Sequence, residues 1–303
     1  MLTIEKHNFK GWPNSWLVTN GEIELVLTGD IGPRIMRFGF AGGQNFFKEF
    51  ADQMGTSGEP EWQPRGGHRI WIAPEDPVMS YAPDNLPCKV AVHGGMIEAT
   101  GPVEPLTGLE KKIRVKMASE GTAVEVIHQI RNAGAKPYPL ATWVLTMLAQ
   151  GGWGIHGFPP RGTHPEVLVP TNPLVMWAFT HLNDPRWTLT KKYMVLRQDR
   201  NNELPQKLGS YNRNTWGAYL LNLELFVKRY EATAEPAAYP DYGCTFETFT
   251  NADILELETL GPMTTLAPGA SVTHTEKWSA HRPVAIPKWT DEALDRALGE
   301  ILG

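Results

Sequence analysis

From Lys112 to Met117 the chain reads KIRVKM, apolar and polar in strict alternation. From Ala123 to Ile130 it reads AVEVIHQI, a looser form of the same pattern. A period of two puts one set of side chains on each face of a strand. Between the two segments lies the turn-like Ala118–Gly121 (ASEG), so the pattern predicts a hairpin. Glu22–Thr28 (EIELVLT) alternates in part, and Ile35–Phe40 is a short, mostly apolar run. Leu140–Leu148 (LATWVLTML) is longer and reads as a strand buried on both faces, although length alone leaves a helix open. Trp216–Leu223, Cys244–Thr250, Ile254–Leu260 and Ser271–Ser279 follow, with Thr, Val, Phe and Trp at strand-favoured positions.

Helical pattern is scarce. At the C-terminus Thr290 is an N-cap, Asp291 and Glu292 fill the first turn, and Leu294, Leu298, Ile301 and Leu302 make one apolar face. Phe46–Ala51 is expected to form a single helical turn. The 29 glycines and 25 prolines are spread along all 303 residues and cut the chain into short segments. This predicts a mostly β protein with few short helices, a large antiparallel β-sandwich spanning 1–303 as one domain. Gly157–Asn172 (GFPPRGTHPEVLVPTN) is the most loop-like stretch and is expected to be a lid or a rim loop.

Composition narrows the function more by exclusion. At 42% hydrophobic and 20% charged the chain can bury a substantial core. A net charge of −5, with no basic tract, gives no footprint for nucleic acid or for a membrane surface. No run of about 18 apolar residues occurs, and Glu5, Lys6, His7 and Lys10 stand where a signal peptide needs an apolar core. Cys88 and Cys244 form no CxxC and read as small buried hydrophobes. The expectation is a cytoplasmic protein. HxH and HExxH are absent and so are the glycine-rich nucleotide loops. No metal or other cofactor is expected, while a site assembled from histidines distant in sequence stays open.

Five segments are candidates for chemistry: Asp30–Arg34 (DIGPR), Pro64–Pro74 (PRGGHRIWIAP) with Glu75, Tyr81, Asp84 and Asn85 after it, Val92–Gly95 (VHGG), Gly151–Pro159 (GGWGIHGFP), and Tyr239–Gly269 with its YPDYG, FETFTNAD and ELETLGP stretches. A sugar offers hydroxyls that both donate and accept, plus an apolar C–H face. A site for it needs carboxylates, His and Arg beside Trp or Tyr, and an Arg fork also suits a uronic acid. On this reading Arg34, His68, Arg69, Trp71, Glu75, Asn85, Trp143, Asp241 and Glu258 bind substrate, and Glu247, Glu256 and Glu258, with His68, His93 and His156, supply the carboxylates and imidazoles that acid–base chemistry needs. Simpler readings stand beside these. Trp143 lies on an apolar run and suits the core. His128 and His274 are expected at the surface. Glu256 and Glu258 are two apart, share a strand face, and suit a solvated one. DIGPR, VHGG and the glycines around His156 suit plain turns. His68-Arg69 within GGHRIW is the least ordinary.

These segments together resemble the galactose-mutarotase-like (aldose 1-epimerase-like) superfamily, a large antiparallel β-sandwich, over nearly the whole chain. NGEIELVLTGDIGPRIMRFGF is similar to its opening strands, GGHRIW to a segment that places an Arg (Arg69) near the sugar, and AVHGG to one that places a substrate-binding His (His93). FETFTNAD followed by LAPG is similar to the strand that carries the catalytic glutamate, which implies Glu247 as base. GGHRIW, YAPDN, YPD and ELETLGP are shared with a bacterial subgroup of unknown function. One departure counts against simple mutarotation: the strand that holds a catalytic His in true mutarotases corresponds to LATWVLTML, which has Trp143 and no His. His156 or His93 is then the substitute. The resemblance implies an epimerase-type enzyme on a small-molecule carbohydrate. A non-catalytic carbohydrate-binding protein is the alternative, as is a polysaccharide lyase or glycoside hydrolase using Tyr81, Tyr239 or Asp241.

Overall fold

The computed structural model describes residues 1–233 and 235–302. The alternating segments form strands as expected. KIRVKM and AVEVIHQI pair as Leu109–Met117 and Val124–Asn132, closing on the Met117–Val124 pair. Among the described residues the strands make two antiparallel sheets, one of eleven strands and one of ten. The first runs Thr3–Phe9, Trp12–Thr19, Ile23–Thr28, Arg34–Phe40, Gly67–Ala73, Tyr138–Leu148, Leu255–Leu260, Phe246–Thr250, Gln206–Ser210 and Leu174–Met176, with Thr264–Leu266 pairing beside Tyr138–Leu148. The second runs Trp187–Leu189, Tyr193–Arg197, Trp153–Gly157, Trp216–Leu221, Glu224–Arg229, Ser271–His281, Val124–Asn132, Leu109–Met117, Met96–Thr100 and Lys89–His93.

The core lies between the sheets. Ile70, Ile72, Leu140, Leu148, Leu255 and Leu257 from the first meet Ile113, Val126, Phe226 and Trp278 from the second. Burial at about 25 cal/mol per Å² of apolar surface is what holds such layers together. The strand Tyr138–Leu148 is buried on both faces because its other parity packs as well. Ala141, Trp143 and Leu145 join Trp71, Ala73 and Leu260 in a separate cluster on the outer face. The helix Asp291–Leu302 lays Leu294 and Leu298 on the outer face of the second sheet, against Ile155, Val195 and Trp216. Thr290 caps it by accepting a hydrogen bond from the Ala293 N–H.

Two expectations fail here. Phe46–Ala51 is not a helical turn. Phe47 bridges Leu148, Glu49 bridges Gly66, and a short 3-10 turn follows at Ala51–Gln53. Phe46 and Phe47 are core residues. An extended backbone reaches the core while pairing, with the Lys48 N–H donating to Met147 O at 2.9 Å. His128 and His274 are buried rather than exposed, because both lie on the inward parity of their strands.

Those two histidines belong to a polar network sealed between the sheets. His128 Nδ1–H donates to His274 O (2.9 Å), so its Nε2 is bare and accepts from His68 Nε2–H (2.7 Å). His68 Nδ1 then accepts from Thr146 Oγ1 (2.8 Å), which in turn accepts from Lys228 Nζ (2.9 Å). The other two Lys228 protons go to Leu257 O and Glu276 Oε1. Glu276 also takes Thr259 Oγ1–H and Trp278 Nε1–H, and Thr259 accepts from His274 Nε2–H. His68, His128 and Glu276 offer ligand-type atoms within 4.8 Å of one another, and each of those atoms is already used in this chain of hydrogen bonds. Burial holds His68 well below the ordinary imidazole range, His128 down to about 4 and His274 to about 3.

Candidate functional site

Behind the network, on the outer face of the same strands, sits a second cluster of charged and aromatic side chains. Alternation puts Arg69 and Trp71 outward where His68, Ile70 and Ile72 point to the core. Strand register then carries this face across the sheet. Arg69 pairs with Leu145, Trp71 with Trp143, Leu145 with Glu258, and Glu258 with Glu247. Glu247 pairs with Gly209, one turn of the pleat from Lys207. Gly209 is glycine because a Cβ there would stand 2.6 Å from Cys244 Sγ and 3.1 Å from Glu247 Cγ.

Lys207 is the centre of the cluster. Its Nζ donates to Glu258 Oε2 at 2.9 Å and lies 2.8 Å from Glu247 Oε2. The Glu247 contact is an ion pair without hydrogen-bond alignment. Trp143 Nε1–H also donates to Glu258 Oε2, at 2.7 Å. The ammonium sits 4.6 Å from the ring centres of both Trp143 and Trp177. Arg69 is held the same way, 4.7 Å from Trp62 and 4.3 Å from Trp71. Trp62, Tyr81 and Trp177 are half-buried and roof the cluster, while Glu75 is exposed at the rim and accepts from Tyr81 Oη at 2.7 Å.

One ammonium between two carboxylates cannot neutralise both. Burial, with the charges of Glu258 and Asp241, pushes the Glu247 carboxyl well above the ordinary range against the pull of Lys207. Burial and the charge of Glu258 lift Glu256 to about 7. Burial also raises Asp241, against the pull of Lys207. Lys207, which burial alone would lower, is held above its usual value by Glu247 and Glu258. Burial and the neighbouring Arg34 bring Arg69 down to about 10. Asp241 is aimed inward by an unusual turn: Asp241 and Tyr242 take φ of 50° and 59° before Gly243 at 102°.

The structure therefore brings together Arg69, Trp71, Glu75, Trp143, Asp241, Glu247 and Glu258. It puts the remaining candidates elsewhere. His93 is exposed in the hairpin turn at the far edge of the second sheet, paired with Met96. His156 faces the core, stacked on Phe246 with its Nε2 2.9 Å from Ser210 Oγ, and burial lowers it to about 3. His68 is part of the sealed network. Arg34 is spent on Pro64 O, Gly66 O and Asp84. Asn85 donates to Glu59 O. These last two are clamps on the loops around Arg69. Trp143 is both core and site. Lys207 and Trp177 were not expected. A lysine as the one charged residue of the strand QKLGS was the available signal for the first.

A cavity of about 1180 Å³ opens on the other sheet, between Phe158–Thr163 of the proline-rich loop and the C-terminal helix. Several of its charged groups are engaged: Asp295 binds Lys192 and Tyr193, Arg229 caps the helix through Ile301 O and Leu302 O, and Arg161 lies over Phe158. Size does not make it the better candidate, because the convergent carboxylates lie on the first sheet.

No family model matches this chain, and no curated protein matches it. Solved structures do. A galactose mutarotase-like protein from Lactobacillus casei superposes with a TM-score of 0.58 at 10% identity, covering 88% of this chain and 100% of its own. The fold is that of the galactose mutarotase-like proteins. A galactose mutarotase related enzyme from Lactobacillus acidophilus gives 0.55 at 9% identity, covering 89% and 98%. A galactose mutarotase-like protein from Clostridium acetobutylicum gives 0.53 at 9%, covering 92% and 98%. At such identities the likeness is one of fold, and the mutarotase-like sandwich leaves the chemistry to the residues just described. Among the described residues no helix is long and apolar enough to cross a membrane.

Proposed function

We propose that the outer-face cluster is the active site of a sugar-active enzyme of aldose 1-epimerase type. The observation that carries this is the pair Glu247 and Glu258, neighbours across two strands that share Lys207 but differ in their hydrogen bonds. Glu258 Oε2 accepts from both Lys207 and Trp143, which suits a carboxylate, and its Oε1 has no partner. Glu247 is driven toward its protonated form. A carboxyl driven to its protonated form can give a proton, and a carboxylate oxygen left without a donor can take one. Glu258 takes the proton of the anomeric hydroxyl while Glu247 protonates the ring oxygen. The ring opens, the aldehyde rotates, and the reverse transfers close it on either face. This assigns Glu247 the acid role rather than the base role that the resemblance implies, and it needs no histidine. Trp71 and Tyr81 supply apolar faces for the ring.

The test is anomeric exchange measured by saturation-transfer NMR on a panel of aldoses. Glu247→Gln and Glu258→Gln should each lower the rate by about 100-fold or more. No acceleration across the panel, or full activity in Glu247→Gln, rejects the reading. The alternative is a carbohydrate-binding protein without turnover, favoured by Trp143 standing where a histidine was expected. Glycan-array binding with no exchange supports it.

A further inference from the structure

The cluster also points to what its ligand carries. Glu75, Asp241, Glu247, Glu256 and Glu258 converge on it, against Arg69 and Lys207 alone. Both cations are committed. Lys207 is paired with two carboxylates and enclosed by two indoles, and Arg69 lies between two more. Lys207 has no charge left over for an anionic sugar, and Arg69, whose Nε is unpartnered, faces carboxylates in surplus. The unmet hydrogen-bonding capacity leans the same way. Glu256 Oε1 and Glu258 Oε1 are buried acceptors without a donor, and the unpartnered donors are Trp62 Nε1 and Arg69 Nε. Buried polar atoms require partners, so a ligand must bring N–H or O–H groups to the carboxylates and an acceptor each to Trp62 and Arg69. A sugar hydroxyl meets the neutral part of that demand. A protonated amine meets all of the acceptor side at once, with three donors and the missing positive charge.

Resting on the sugar-active reading above, we propose that the site takes an aldose bearing a protonated amine, and that it discriminates against uronic acids and sugar phosphates. Glu75 and Asp241 at the rim draw the cation in, and Glu256 and Glu258 hold it beneath the roof of Trp62 and Tyr81. Hydrogen bonds to a charged group are roughly twice as strong as neutral ones, an expected gain of about tenfold in affinity.

Matched sugars test this on the wild-type protein. Affinities are measured by calorimetry at pH 6.5 for glucosamine, glucose and N-acetylglucosamine, for the galactose and mannose counterparts, and for glucuronate and galacturonate. At least one amino sugar should bind about tenfold tighter than both its neutral partners, with the uronic acids weakest. At pH 9.5, where the amine has lost its charge, that preference should vanish. The proposal is overturned if every amino sugar binds within about threefold of its neutral partners or more weakly, if a uronic acid binds tightest, or if the preference survives at pH 9.5. Neutral-sugar binding or turnover without an amine preference overturns this proposal and leaves the sugar-active reading standing. No binding of any sugar overturns both.

Discussion

Two polar clusters occupy opposite faces of the same strands. On the inner face, His68, Thr146, Thr259 and Leu257 O join Lys228, His128, His274 and Glu276 in a network whose donors and acceptors match. On the outer face, Arg69, Glu256, Glu258 and Glu247 gather with carboxylates in surplus and buried acceptors unmet. Residues next to each other in sequence, such as His68 and Arg69, fall on different sides of this divide. Inside, the single Lys228–Glu276 pair is balanced and burial keeps the histidines neutral. Outside, one lysine serves two carboxylates. A closed network specifies packing, and an open one holds unsatisfied capacity that only a ligand or proton transfer uses.

The contrast should be largest in stability. Lys228→Met leaves Glu276 buried and unpaired and should cost about 3–5 kcal/mol. Lys207→Met strands Glu258 with the Trp143 donor alone, but Glu247 already favours its protonated form, so the cost of this variant should be the smaller of the two. Urea unfolding of the two variants measures the difference, and equal losses would erase the distinction between the faces.

The next effect is in pH, where the faces have opposite signs. His128 folds with its value lowered from 6.5 to about 4, so the unfolded chain binds more protons between those values. Its contribution to stability is whole above pH 6.5 and is lost as pH falls toward 4. Glu256 folds with its value raised from 4.5 to about 7, so the folded chain binds more protons. Stability then falls as pH rises from 4.5 through 7, by at most about 3 kcal/mol. Glu256→Gln should shrink the second slope, leaving the share of Glu247 and Asp241, and leave the first. Denaturant midpoints across pH 4 to 8 decide, and an unchanged profile in the variant would show that Glu256 is not the group responsible.

Smaller still, Trp143→Phe keeps the aromatic packing but deletes the donor to Glu258, an expected loss of about 1.5–3 kcal/mol together with weaker sugar binding. At the bottom, His93→Ala on the exposed hairpin should stay within about 0.5 kcal/mol of wild type and leave sugar binding untouched. A loss of binding there would return the VHGG turn to the site.

Much of the sheet was legible in the sequence. Strict alternation fixed the Leu109–Met117 and Val124–Asn132 hairpin, and an unbroken apolar run marked Tyr138–Leu148 as buried on both faces. Parity also placed Glu256 and Glu258 together. The site was half legible for the same reason. Glu247, Glu258, Arg69 and Trp143 lie on strands whose faces can be counted, whereas convergence across five strands depends on register that no local pattern carries. The histidines were misread because a His on a strand gives no sign of its face until its partners are known. His128 is inward only because Val124, Val126 and Ile130 share its parity. Lys207 was missed because a lysine normally signals solvent, and nothing near it in sequence shows the two carboxylates that make its burial tolerable.

The most direct measurement compares a front-face with a back-face substitution in one reaction. Anomeric exchange, recorded by two-dimensional exchange NMR and normalised to folded protein, is followed for wild type, Glu258→Gln and His156→Gln. The account predicts about a 100-fold loss or more in Glu258→Gln and a rate near wild type in His156→Gln. The reverse ranking, with His156 essential and Glu258 dispensable, would contradict it and move the chemistry to the other side of the sheet.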